Sequence, residues 1–270
     1  IKKIEEFVYN QPRSIQEIAE HINKNWRTAD RYIQEIQKEY GTLSTRVFRE
    51  GTRGALKIVY FSALEKVHSN VFQEKLQSEI ENFKRKEDFS AFDIFQHIPS
   101  KERQVTIESV EGKNLLDLKQ KISQLKKQIL IFSGDLSFIN LRNKELFVFA
   151  FLEDLVKKGA QIKVVCRVDL NSIENIEKLL SLNFKYGKEL VQIHHREQPL
   201  RALVYDDKFF TIKQIVNPVV RVNEQKKKAF IYYIFKNKDW TLWISRIFWK
   251  FFSNSIDANK RIEELRRLKF

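Results

Sequence analysis

Cysteine is almost missing from this sequence: Cys166 is the only one in 270 residues, so no disulfide can close within the chain. A disulfide-stapled extracellular scaffold is excluded, and a reducing, cytoplasmic setting is expected. Methionine is absent, the initiator included. Glycine (7) and proline (4) are scarce, and no Gly-rich phosphate loop is formed from so few glycines at the usual spacing. The five histidines, at positions 21, 68, 97, 194 and 195, are too scattered to make a spaced ligand set with one cysteine. Neither a metal nor another cofactor is therefore expected. No apolar run is long enough to cross a bilayer and no secretory leader is legible, so no membrane partner is expected.

What is plentiful is phenylalanine, with 22 residues, and positive charge, with a net +14 and pI near 9.6. The hydrophobic fraction of 43% supports substantial cores, and the length favours two domains. The charge favours an anionic partner. It is not concentrated at one end, however. Residues 1–62 hold 11 Lys+Arg against 8 Asp+Glu, and the remainder 38 against 27.

Residues 14–41, SIQEIAEHINKNWRTADRYIQEIQKEYG, read as a helix-turn-helix. Ser14 and Glu17 have capping-box spacing. Ile15, Ile18, Ala19 and Ile22 form one helical stripe. Asn23 suits a left-handed turn residue and Asn25 caps a second helix, which buries Ala29, Ile33 and Ile36 and stops at Gly41. The opposite face carries Trp26, Arg27, Thr28, Asp30 and Arg31, the positions that such motifs present to the major groove. A helix precedes it over residues 1–10, with Ile4, Phe7 and Val8 on one side. The alternative is an ordinary two-helix hairpin in some other helical core.

The next stretch favours the DNA-reading alternative. Residues 43–61, LSTRVFREGTRGALKIVYF, read as strand, Gly-containing turn and strand. A basic hairpin directly after a helix-turn-helix makes a winged helix, with Arg46, Arg49, Arg53 and Lys57 available to phosphates or the minor groove. Residues 1–61 resemble the winged-helix domains of archaeal and bacterial transcription regulators.

Residues 63–103 read as a charged linker helix, with Leu64, Val67, Val71, Leu76, Ile80 and Phe83 as its apolar stripe, followed by an irregular connector containing Pro99. The helix either pairs with its twin in a homodimer or lies on its own chain. Phe89, Phe92, Ile94 and Phe95 indicate that the connector packs on something. From 104 to 270 strands and helices alternate, which predicts a mainly parallel α/β sheet with both faces covered. The expected strands are 104–109, 128–133, 162–168, 190–194, 200–205, 208–212 and 229–235. Helices are expected over 115–127, 145–158, 171–182 and 239–268, the last with breaks.

Several segments of this second region carry a resemblance: VTIESVEGKNLLDLKQKISQLKKQILIFSGD, LEDLVKKGAQIKVVCR, LVQIHHREQPLRALVYDDKFFTIK and IFWKFFSNSIDA. In that order they resemble the effector domain of TrmB-like regulators, whose fold is that of the phospholipase D superfamily. The resemblance implies a homodimer and a sensing role for a small-molecule effector. Superfamily enzymes use a His-x-Lys motif with an Asp five residues after the Lys. Laid on this chain, the motif puts Asp206 at the Asp, Arg201 at the Lys and Pro199 at the His. Proline is neither nucleophile nor base, so the expectation is a degenerate site and no enzyme. Arg201 retains the capacity to hold an anion. His194 and His195 read either as a displaced nucleophile pair, as a strand-end pair facing solvent, or as the lining of a ligand pocket with Arg201.

Trp240, Trp243, Ile244, Ile247, Phe248 and Phe251 share one helical face. A packing helix on the sheet is the expected reading, and a membrane-surface helix the alternative. Trp249 and Phe252 lie off that face and suggest contact with a second chain. Residues 221–270 hold 13 Lys+Arg against 5 Asp+Glu, a solvated basic surface or a second nucleic-acid contact. The sequence thus predicts a dimeric transcription regulator of double-stranded DNA. The alternatives are a phospholipase D-like phosphodiesterase or nuclease and a non-specific DNA scaffold.

Overall fold

The structure is a computed structural model that describes residues 2–39, 43–49, 55–61, 69–217 and 228–267. The expected Gly41 stop, the turn holding Arg53, Leu64, Val67 and the Lys226–Lys227 pair lie outside these residues, as does the Arg49 side chain.

The chain begins with α1 (Lys2–Asn10), β1 (Arg13–Ser14), α2 (Ile15–His21) and α3 (Trp26–Glu39), followed by β2 (Leu43–Arg49) and β3 (Ala55–Phe61). Local chemistry accounts for the first turns. The Ser14 side chain accepts from the Glu17 N–H, and the Glu17 carboxylate accepts from the Ser14 N–H, so the capping box is complete. Asn23 has φ of 53°, the left-handed turn that an Asn tolerates. Asn25 Oδ1 accepts from the Thr28 N–H and caps α3. Ile18, Ala29, Ile33 and Ile36 are completely buried, and with Ile4, Val8, Leu43 and Val59 they form one core. β1, β3 and β2 make a three-stranded antiparallel sheet in that order.

Next come α4 (Ser69–Asn82), α5 (Ala91–Phe95), a 3-10 turn (Ser100–Glu102) and β4 (Arg103–Glu108). They are followed by α6 (Leu115–Ser123), β5 (Gln128–Phe132), α7 (Val148–Lys157), β6 (Gln161–Cys166), α8 (Ile173–Tyr186) and β7 (Val191–His195). The chain continues through β8 (Ala202–Tyr205), β9 (Phe209–Val216), β10 (Ala229–Phe235), α9 (Lys238–Ser253), β11 (Ile256–Asp257) and α10 (Ala258–Arg267).

Among the described residues eight strands form a second sheet, in the order β11-β7-β6-β5-β8-β9-β10-β4. Only the β5–β6 and β6–β7 pairings are parallel; the rest are antiparallel. The expectation of a mainly parallel sheet is therefore corrected to a mixed one. The helices α7 and α8 carry the chain across between parallel neighbours, whereas β8 turns straight into β9 through Asp206, Asp207 and Lys208, the first two left-handed, and so short a connection joins only antiparallel strands.

Alternation along β5 sends Leu130 and Phe132 to one face and Ile129 and Ile131 to the other. The second face is covered by α6, α7, α8 and α10. The first is covered by α9, α4 and α5, and Phe48 of the hairpin joins the same cluster. Of the two readings of the 69–82 helix, packing on its own chain is the observed one. Leu76 and Ile80 are buried in that cluster, and the Trp243 Nε1–H donates to the Gln73 carbonyl at 3.2 Å. The aromatic face of α9 is buried as expected. Phe252 is not free surface but lies stacked on His194, with ring centroids 3.8 Å apart. Trp249 stays 39% exposed. No helix of the described residues is long and apolar enough to cross a membrane.

Candidate nucleic-acid interface and anion cavity

The residues expected to meet DNA divide in two. Asn25, Arg27 and Arg31 are exposed along the start of α3, and Arg46 is exposed on β2. The Arg27 guanidinium lies 5.6 Å from the Trp26 ring centre, and Arg31 faces Glu35 at 3.7 Å with its own side chain 66% exposed. Others are engaged within the chain. Trp26 is half-buried against the core of the first helices. Asn25 and Thr28 make the cap bond. Lys57 pairs with Asp30 at 2.5 Å, which ties the hairpin to α3.

In the large sheet, parallel strands β5, β6 and β7 end side by side. The residues that follow them, Ser133–Asp135, Arg167 and Arg196–Gln198, line a cavity of about 670 Å³. Pockets for small ligands span about 300–1,000 Å³, and in open α/β sheets they sit beyond the carboxyl ends of the strands. The ladder extends past the strands here: the Arg167 N–H donates to the Gly134 carbonyl and the Arg196 N–H to the Cys166 carbonyl, each at 2.8 Å. Arg201, just before β8, points into the same cavity, and Lys213 of β9 and Tyr232 of β10 form its far wall. Lys213 is ion-paired with Glu111.

Lys86 closes one side. Its ammonium donates to the carbonyls of Gln198 at 2.5 Å, Leu200 at 2.7 Å and Ser133 at 3.3 Å, so three donors meet three acceptors. Burial, with the Arg201 charge adding to it, pulls its pKa down to about 7; the three carbonyls act the other way by holding the charged form. Gln198 is itself buried and bridges the Ser133 carbonyl and the Leu200 N–H at 2.8 and 2.6 Å. The backbone on either side of Pro199 is thus held by a lysine from the connector. Arg201 faces Glu87 at 3.9 Å, and burial lowers its pKa. Arg196 lies over the Phe251 ring at 4.0 Å.

Asp206 accepts from the backbone N–H groups of Lys126, Lys127 and Gln128 at 2.8–2.9 Å. Burial alone raises its pKa, but those three donors outweigh it and hold the carboxyl below its usual value. Its work is to fasten the start of β5 to the β8–β9 turn.

The expected grouping of His194 and His195 with Arg201 is not what the fold produces. Neither histidine lines the cavity. His194 Nδ1 lies 2.7 Å from the Phe252 carbonyl, under that residue's ring. His195 Nδ1 accepts from the Val168 N–H at 2.8 Å, and burial, with Arg261 nearby, lowers its pKa. Both belong to β7, where β11 pairs across them. Cys166 is fully buried, which pushes its thiol up to about 12. Among the described residues no three His, Cys, Asp or Glu side chains converge as metal ligands. Sequence reasoning missed Lys86, Gln198, Arg167 and Arg196. Arg196 was open to one signal, since it lies just past the strand expected over 190–194; Arg167 was hidden because the strand expected over 162–168 ran through it, whereas β6 ends at Cys166.

No family model matches the chain, and no curated protein does. Solved structures do. A phospholipase D family member, NUC from Salmonella typhimurium, is 13% identical with a TM-score of 0.41, over 58% of this chain and 98% of that one. TrmBL2, an archaeal chromatin protein with a novel mode of DNA binding, is 12% identical with a TM-score of 0.39, over 90% of this chain and 87% of that one. Phosphatidylserine synthase from Haemophilus influenzae Rd KW20 is 9% identical with a TM-score of 0.41, over 82% and 63%. The expectation that the chain is not an enzyme is corrected by this set, in which a phospholipase D family member and a phosphatidylserine synthase stand beside a chromatin protein.

Proposed function

We propose that the chain is a DNA-binding regulator in which residues 1–62 form a winged helix and residues 104–270 form a phospholipase D-like, ligand-binding unit, joined by 63–103. The observation that carries this reading is the Asn25-capped helix α3, which offers Arg27 and Arg31 to solvent while Lys57 fixes the adjoining hairpin to it through Asp30. A helix with exposed cations at its start, beside a basic hairpin, has the geometry of a major-groove reader with a phosphate-gripping wing. Two copies acting together raise affinity through effective concentration, which makes a homodimer part of the proposal. Selection of bound duplexes from a random pool tests it. Enrichment of a paired half-site supports a regulator, and binding with a specificity ratio near one supports a non-specific scaffold instead.

A second reading has its own support. Arg201, Arg196 and Arg167 bring three guanidinium groups to the lining of one cavity, and such a set suits the charge of a phosphodiester. A phosphodiesterase assay with the native chain and with Arg201→Gln decides it: turnover lost in the variant establishes the enzyme.

A further inference from the structure

We infer that the Lys84–Phe95 segment is a relay, through which a polyanion held in the cavity loosens the β2–β3 hairpin. The inference rests on the proposed reading of the cavity as a ligand site and adds how that site acts.

The segment has two different holds. At its start it is fastened by charge. Residues 84–87 line the cavity, Lys86 is bonded to three carbonyls, and Glu87 faces Arg201. At its end it is fastened by aromatic packing. Phe92 meets Tyr60 at 5.0 Å and Phe48 at 6.5 Å on the hairpin, and Tyr233 at 6.4 Å on the large sheet. Phe89, Ala91, Ile94 and Phe95 are all buried, so α5 has no slack in which to absorb a displacement at its neighbour.

The charged hold is the one that a ligand can alter. The Glu87 side chain is 72% exposed and stands 3.9 Å from Arg201, a weak pair in water. A polyanion offers Arg201 a bidentate partner and repels Glu87. It also gives the Lys86 ammonium an ionic acceptor in place of neutral carbonyls. Both changes pull on the residues just before α5. Packed interfaces respond to such a pull by switching arrangement rather than stretching. The hairpin ring contacts are the part of that interface with least behind them, because Leu56, Ile58 and Tyr60 are only half-buried against it.

Inorganic pyrophosphate is the probe, used at constant ionic strength against sodium chloride. Calorimetry reads its binding, and amide hydrogen exchange reads the β2–β3 ladder. Bound pyrophosphate is expected to speed exchange at Leu56–Tyr60 by about fivefold or more, the lower end of ordinary coupling between sites. Arg201→Gln is expected to lose both binding and effect. Phe92→Leu keeps a packed core and is expected to bind pyrophosphate while the hairpin no longer responds. Absence of binding at millimolar pyrophosphate overturns the inference. So does binding that leaves the native hairpin's exchange unchanged, or an undiminished response in Phe92→Leu. The exchange measurement needs no DNA. A chain that binds no duplex at all therefore sinks the proposed function, while the relay is still decided by exchange alone.

Discussion

The Phe92 ring meets the Tyr60 ring nearly edge-on, with centroids 5.0 Å apart and planes at 62°. One residue belongs to a five-residue helix in the connector, the other to the hairpin that follows α3. Edge-to-face pairs of this kind contribute about 0.5–1.5 kcal/mol beyond the area they bury. Phe92 makes further ring contacts with Phe48, Phe95 and Tyr233. Truncating it removes the piece that the hairpin and the large sheet share. Phe92→Ala is expected to destabilise the chain by about 3–5 kcal/mol, read as a lowered midpoint in urea. A loss below about 1 kcal/mol would show that the ring is not packed as described.

Asp206 supports a second prediction. Its carboxylate answers three successive backbone N–H groups, and its own φ of 49° is one that Asn also tolerates. Asp206→Ala leaves the three donors without their acceptor, strains the turn, and is expected to cost about 2–4 kcal/mol. Asp206→Asn keeps one acceptor oxygen and the turn geometry, and should cost roughly half as much. Equal losses in the two variants would mean that the charge, not the hydrogen bonding, is what matters.

Features set by near neighbours in the chain were legible. The Ser14–Glu17 box, the Asn23 turn and the Asn25 cap each need only a few adjacent residues, and each is present. The 229–235 strand was read to the residue because its apolar run is bounded by charge on both sides. Strand direction across the sheet was not legible. The β4–β10 and β5–β8 pairings join segments far apart in sequence, and alternation says nothing about orientation. Lys86 was hidden for a similar reason. It sits in the run Lys84-Arg85-Lys86-Glu87-Asp88, where every residue reads as solvated. Its partners come from positions 47, 112 and 114 residues away. His194 and His195 misled in the opposite sense. A polar pair suggested chemistry, while burial under Phe252 and bonding to backbone give it a structural place.

Asp93 gives stability a pH dependence of definite sign. Burial pushes its carboxyl up to about 7, Glu79 adds to the rise and Lys75 of the same helix α4 opposes it. An unfolded Asp titrates near about 3.9. Between those values the folded chain holds a proton that the unfolded chain has lost. This contribution is complete below about pH 4 and disappears as pH rises through about 7, so stability falls across that window, by at most about 1.4 kcal/mol per pH unit. Asp93→Asn should flatten the profile between pH 4 and 7, measured by urea unfolding at each pH. His97, whose pKa burial lowers to about 4, adds the opposite slope to both chains, so the test is the difference between them: a native-minus-variant difference that does not fall across the window would contradict the burial of that carboxyl.

Arg27 and Arg31 should differ from Lys57 in what their loss does. The two arginines are exposed and Arg31 has only a loose i,i+4 partner in Glu35, so either can turn to DNA without breaking anything internal. If Arg27 reaches a base edge, Arg27→Ala weakens binding to a selected site by about 1–3 kcal/mol and relaxes preference at one position. If it holds a phosphate, affinity falls for every sequence and the slope of log K against log salt drops by about 0.9. Neither change should move the unfolding midpoint. Lys57 is already committed to Asp30, with both side chains only 22% exposed. Lys57→Ala leaves a half-buried carboxylate without its cation, so it is expected to lower the unfolding midpoint and to weaken binding through the displaced hairpin rather than through a lost phosphate contact. Its salt slope should therefore match that of the native chain. Titrations of one duplex at several salt concentrations, with unfolding measured on the same preparations, separate the two behaviours. A reduced salt slope with an unchanged midpoint for Lys57→Ala would place that lysine on the DNA after all.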